Sequence, residues 1–139
     1  MNLDSSQYLD RQLVESLVSS FEKKNYKKRF LIKIGARFAF VPTEKVSFFF
    51  SENGVTYLVE HGSSQKYIID KTLNELQEKL LDPNKFYRVN RSTIINLDDV
   101  AGIKPYLNGR LVLSLNTRSE FDPIVARERV SDFKDWINQ

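Results

Sequence analysis

Apolar and polar positions change their period along the chain, and the changes divide it into elements. Leu9, Leu13, Val14, Leu17, Val18 and Phe21 recur at helical spacing. They follow Asp4-Ser5-Ser6-Gln7, which supplies Asp4 as a helix cap and Gln7 three residues on. The predicted helix fades in the basic run from Lys23 to Arg29. From Phe30 the period drops towards two. Phe30 to Ile34 and Phe38 to Val41 read as a hairpin turned at Gly35-Ala36 and broken by Pro42-Thr43. Val46 to Phe50 reads as a continuous apolar run, suited to a strand buried on both faces. Asn53-Gly54 signals a tight hairpin turn, with glycine supplying a positive φ. Val55 to His61 and Gln65 to Ile69 follow, joined by Gly62-Ser63-Ser64.

Thr72-Leu73-Asn74-Glu75 has the form of a capping box. Leu73, Leu76, Leu80 and Leu81 give the helix behind it one apolar face, and Asp82-Pro83-Asn84 stops it. Val100 to Tyr106, a turn at Leu107-Asn108-Gly109, Arg110 to Leu115 and Ser119 to Ile124 read as further strands. Val130, Phe133, Trp136 and Ile137 mark a closing helix begun near Ala126 or Arg127. The count is about ten short strands with two or three peripheral helices, a mainly antiparallel β domain. Periodicity leaves open whether it is a sandwich or several small sheets. Residues 1–28 read as an N-terminal amphipathic helix and linker, and 29–139 as the domain. The helix either packs on that domain or is a link that pairs with a second copy.

The stretch Asn84 to Leu97 mixes two patterns. Phe86, Val89, Ile94, Ile95 and Leu97 form an apolar, β-prone frame. Arg88, Asn90, Arg91 and Ser92 stand between them. These are the side chains that reach phosphates and base edges: guanidinium for phosphate or guanine, carboxamide for adenine.

Composition sharpens this picture only in places. The chain has 139 residues, 41% hydrophobic with ten phenylalanines, enough for one domain with a core. The absence of cysteine excludes disulfides and thiolate metal sites and fits a reducing cytoplasm. No apolar run has membrane-spanning length. A net charge of +3 is mild. Its placement says more, because Lys85, Arg88, Arg91, Lys104 and Arg110 face only Asp98 and Asp99 across that quarter of the chain.

Enzymatic chemistry finds little footing. His61 is the single histidine, read as a half-exposed strand residue. A hydrolase built on Ser63 and His61 lacks a Gly-x-Ser-x-Gly elbow, and no phosphate-cradling glycine loop or second histidine is present. Asp98 and Asp99 read as turn residues that point apart. Phe48, Phe49, Phe50, Tyr57, Tyr67, Phe86 and Tyr87 offer rings for stacking single strands, but an unbroken apolar run is more often core. No cofactor is implied. The rival to nucleic-acid binding is a β-rich module that binds a protein or small ligand, with Val46 to Phe50 lining the pocket.

Phe-x-Arg-x-x-Arg-Ser-x-Ile-x-Asn-Leu from Phe86 to Leu97, the helix from Leu73 to Leu81, and Pro123-Ile124-Val125-Ala126-Arg127 together resemble the LytTR family. These are DNA-binding output domains of many bacterial response regulators. The resemblance runs from about Phe30 to Ile137. It implies an elongated β-β-β arrangement and a cytoplasmic, non-enzymatic transcription factor that reads double-stranded DNA through loops in the major groove. Implied partners are a receiver domain outside this chain, a second copy on an adjacent half-site, and RNA polymerase. Carried over by position, Asn90, Arg91 and Arg127 become base-reading candidates. Asn53 joins them at the first hairpin, and Arg88, Ser92, Lys104, Tyr106 and Arg129 are candidates for backbone contacts. Two positions depart from the family pattern. Asn90 replaces the usual histidine, which implies a changed preference, towards adenine. Ala126 replaces the usual serine, removing a hydroxyl.

Overall fold

A computed structural model describes residues 10–18, 25–117 and 122–139. Asp4, Leu9, Phe21, Lys23, Lys24 and the first half of the strand expected over Ser119 to Ile124 lie outside the described residues. Ten strands are described, in three antiparallel sheets. β1 (Arg29–Ile34) and β2 (Arg37–Pro42) pair as a hairpin. A five-stranded sheet follows, in the order β5-β4-β3-β7-β6. It comprises β3 (Val46–Glu52), β4 (Val55–Glu60), β5 (Lys66–Ile69), β6 (Phe86–Asn90) and β7 (Thr93–Asn96). The last sheet joins β8 (Val100–Tyr106), β9 (Arg110–Leu115) and β10 (Ile124–Val125). Residues 10–18 are helical (α1), α2 (Leu73–Glu75) continues as a wider π-type turn over Leu76–Leu80, and α3 (Val130–Ile137) closes the chain.

The five-stranded sheet lies between two cores, and the three adjacent phenylalanines of β3 show how. Because strand side chains alternate, Phe49 turns to one face, where it meets Phe30, Ile32 and Val41 of the hairpin and Leu76 of the α2 extension. Phe48 and Phe50 turn to the other, with Val89, Ile95, Leu111, Leu113, Val125 and Phe133. A bulge between Val46 and Phe48 moves Val46 onto the Phe49 side. The run Val46 to Phe50 is therefore core rather than the wall of a ligand pocket. It is also not wholly apolar. Ser47 is fully buried and donates its hydroxyl to the Asp99 carboxylate.

Turn chemistry matches the expectation at the first sheet hairpin, where Asn53 and Gly54 both take positive φ values, 53° and 78°. The capping box also forms: Thr72 Oγ1 accepts from the Glu75 N–H at 3.1 Å, and Glu75 Oε1 from the Thr72 N–H at 3.3 Å. No helix among the described residues is long and apolar enough to cross a membrane.

Candidate nucleic-acid interface

The central stretch folds into the tight β6–β7 hairpin, with Arg91 and Ser92 at its tip. All four residues of β7 are buried, so the apolar frame is anchored while the tip stays exposed. Arg88 does not project with the tip. Its Nη1 donates to Asn74 Oδ1 at 2.5 Å and Gln77 Oε1 at 3.1 Å, and its Nη2 to the Arg91 carbonyl at 2.6 Å. Its Nε is buried with no hydrogen-bond partner. Asn90 is equally engaged. Its Nδ2 donates to the Ile124 carbonyl at 2.7 Å, and its Oδ1 accepts from the Ser92 N–H at 2.9 Å and hydroxyl at 3.1 Å. A register shift between Arg88 and Asn90 marks an irregularity at the end of β6 that turns this carboxamide towards β10.

These bonds gather four loops at one edge. Ser51 N–H donates to the Ser92 carbonyl at 2.9 Å, placing the Asn53-Gly54 turn beside the β6–β7 tip. The Ala126 N–H donates to the Val89 carbonyl at 2.9 Å, and Arg129 Nη1 to the Arg88 carbonyl at 3.1 Å. The segment carrying Arg127 is thus laced to the same hairpin. Arg127 itself lies along the β8–β9 turn, where a Cβ on Gly109 would stand 3.6 Å from its Cγ and Nε. Tyr106 and Arg110 pair at the base of that turn, the guanidinium 4.9 Å from the ring centre. Lys104 is exposed farther along β8. Thr56, on β4 beyond the Asn53 turn, is buried and points inward.

Electrostatics separate the cations. Burial, with Arg129 and Arg91 nearby, holds Arg88 below the usual arginine value. Tyr87, on β6 of the same hairpin, is pushed above the ordinary phenol value by burial and by its 2.7 Å bond to Asp132. No carboxylate among the described residues lies within ion-pair distance of Arg91 or Arg127. Two guanidinium groups therefore face outward without internal neutralisation, which suits a polyanion.

A second polar cluster escaped the sequence reading. Asp99 lies in the single turn Leu97–Asp99, as expected, but is 1% exposed. It accepts from Ser47, and its other carboxylate oxygen lies 2.5 Å from His61 Nδ1. The carboxylate sits between serine and histidine, so His61 has no path to activate Ser47. Ser63 Oγ accepts from the Gln65 N–H instead of meeting His61. Ser47 inside an apolar run was the available signal, since a buried hydroxyl requires a partner.

A β scaffold that turns several loops and unneutralised arginines to one edge defines a nucleic-acid-binding domain. A family model described as the LytTr DNA-binding domain matches residues 36–138, and the chain belongs to that family. Transcriptional regulatory protein YpdB of Escherichia coli K12 is 28% identical over 74 residues, which are 53% of this chain and 30% of that protein. The protein of the same name from Shigella flexneri matches to the same extent. The chain thus aligns with less than a third of these curated relatives. A LytTr DNA-binding domain from Bacillus cereus superposes with a TM-score of 0.70 at 23% identity, covering 81% of this chain and 99% of that one. At that identity the likeness is one of fold.

Proposed function

We propose that this domain is the sequence-specific, double-stranded DNA-binding output part of a bacterial response regulator, working without catalysis. The observation that carries the reading is the lacing of the β6–β7 tip to the Arg127 segment, which sets Arg91 and Arg127 outward from one edge. Phosphate capture supplies most of the affinity. Arg91 and Arg127 read bases in the major groove, each placed by bonds that do not involve its own guanidinium. Asn53 reaches the duplex from the neighbouring turn. Ser92, Lys104 and Tyr106 meet the backbone. Arg88, Asn90 and Arg129 act chiefly as the frame that holds these residues in place, because the Arg88 Nη atoms, the Asn90 carboxamide and Arg129 Nη1 are already bonded within the protein. Residues 1–28 link the domain to a receiver lying outside this chain, whose phosphorylation brings two copies to adjacent half-sites and into reach of RNA polymerase in the cytoplasm.

The test is a selection of bound duplexes from a random pool, followed by titration at two salt concentrations. Binding should weaken steeply with salt, with log K falling by roughly 0.9 per phosphate contacted for each tenfold rise in salt. Affinity that ignores salt, or a pool that returns no enriched sequence, would overturn the reading.

A further inference from the structure

Two apolar faces among the described residues are exposed. Leu13, Val14, Leu17 and Val18 of α1 are 49–60% exposed. On the β1–β2 hairpin, Phe30, Ile32 and Val41 are buried against the sheet, while Leu31, Phe38 and Phe40 on the outer face are 52%, 64% and 62% exposed. Leu31 stands opposite Phe40, and Lys33 opposite Phe38, so the three apolar groups form one patch. Single exposed apolar residues are ordinary, but two grouped faces on one chain call for an occupant.

We propose that α1 of a second copy docks on the outer face of this hairpin, and that the exchange is reciprocal. Charge is complementary. The outer face carries Arg29 and Lys33, with Arg29 5.9 Å from the Phe40 ring, and neither hairpin strand carries an acid. Residues 10–18 contain Asp10 and Glu15 against Arg11, and Asp10 falls within the stripe, at helical spacing from Leu13, Val14 and Leu17. Both faces are exposed within the same chain, so α1 is not seated on its own hairpin, which favours exchange over self-docking. The Lys27 N–H donates to the Leu80 carbonyl, and the Thr43 N–H to the Lys28 carbonyl, both at 2.9 Å. These bonds place Lys27 and Lys28 on the side of the α2 extension, which is the hairpin's buried face. Size agrees as well. Seven large side chains at about half exposure offer on the order of 700 Å² per union. Two symmetric unions come to roughly 1,400 Å², within the 1,200–2,000 Å² of stable interfaces.

The absence of cysteine makes the test direct. Leu17→Cys and Phe40→Cys are made in separate chains, mixed without DNA and oxidised. A mixed disulfide dimer, more abundant than either self-pair, is the expected product. Sedimentation of Phe38→Ser/Phe40→Ser should show association weakened at least about tenfold, as for loss of a central aromatic anchor. Three results would each overturn the proposal. One is a disulfide formed only within a single chain carrying both substitutions, which means self-docking. Another is dimerisation through Leu17→Cys alone, which means helix–helix pairing. The third is no cross-link in a chain whose circular dichroism is native. Because DNA is absent throughout, none of them bears on the DNA-binding reading.

Discussion

Arg91 and Arg127 differ from Arg88 in what holds their guanidinium groups, and that difference separates their expected mutant behaviour. Arg91→Ala and Arg127→Ala should each relax base preference at one position, worth roughly 1–3 kcal/mol of discrimination. Repeating the duplex selection with each variant checks this. Asn90→Ala should instead lower affinity evenly across sequences, because its carboxamide is occupied by Ile124 and Ser92. Binding isotherms on duplexes differing at single base pairs distinguish the two patterns, and a lost adenine preference would return Asn90 to base reading. Tyr87 makes a pH prediction. Its folded-state value lies above the ordinary 10.0, owing to burial and the bond to Asp132. A group raised on folding contributes fully below its unfolded value and loses that contribution as pH rises through the folded one. Denaturation from about pH 9 to 11, spanning the ordinary tyrosine value, should therefore show a steeper alkaline decline for the native chain than for Tyr87→Phe.

The short helical segment Leu73–Leu80 acts as a brace, because Asn74 and Gln77 on it bond the Arg88 guanidinium. Its capping box should be worth about 1 kcal/mol, so Thr72→Ala should lower stability by that amount in urea and weaken DNA binding without altering base preference. Local rules made most such elements legible in advance. Asn53-Gly54 specified a hairpin turn, Thr72 and Glu75 a helix start, and the switch of period at Phe30 the onset of strands. Partner choice across long separations was not legible. No local pattern ties Arg88 to Asn74, Asn90 to Ile124, or Ser47 to Asp99 52 residues away, since each depends on sheet order and on the irregularities beside Ser47 and at the end of β6. The family resemblance singled out the β6–β7 hairpin. It could not say which of its polar side chains are bonded inward.

The whole molecule is organised by a five-stranded sheet that belongs to both cores, so the two halves should not unfold separately. Phe49→Ala, on the hairpin side, should cost about 3–5 kcal/mol. The loss should appear equally in far-ultraviolet circular dichroism and in the fluorescence of Trp136, which packs in the opposite core. Two separate transitions would show instead that the cores are independent. Framework and outward residues are, by contrast, divided cleanly at the edge where the loops meet. The side chains that knit the loops together turn inward, whereas Arg91 and Arg127 are exposed, without an ion-pair partner among the described residues. On the proposed role of these two as base readers, exchanging them is a change the scaffold should hardly register, so operator choice could be re-targeted, by drift or by design, while thermal stability stays where it was.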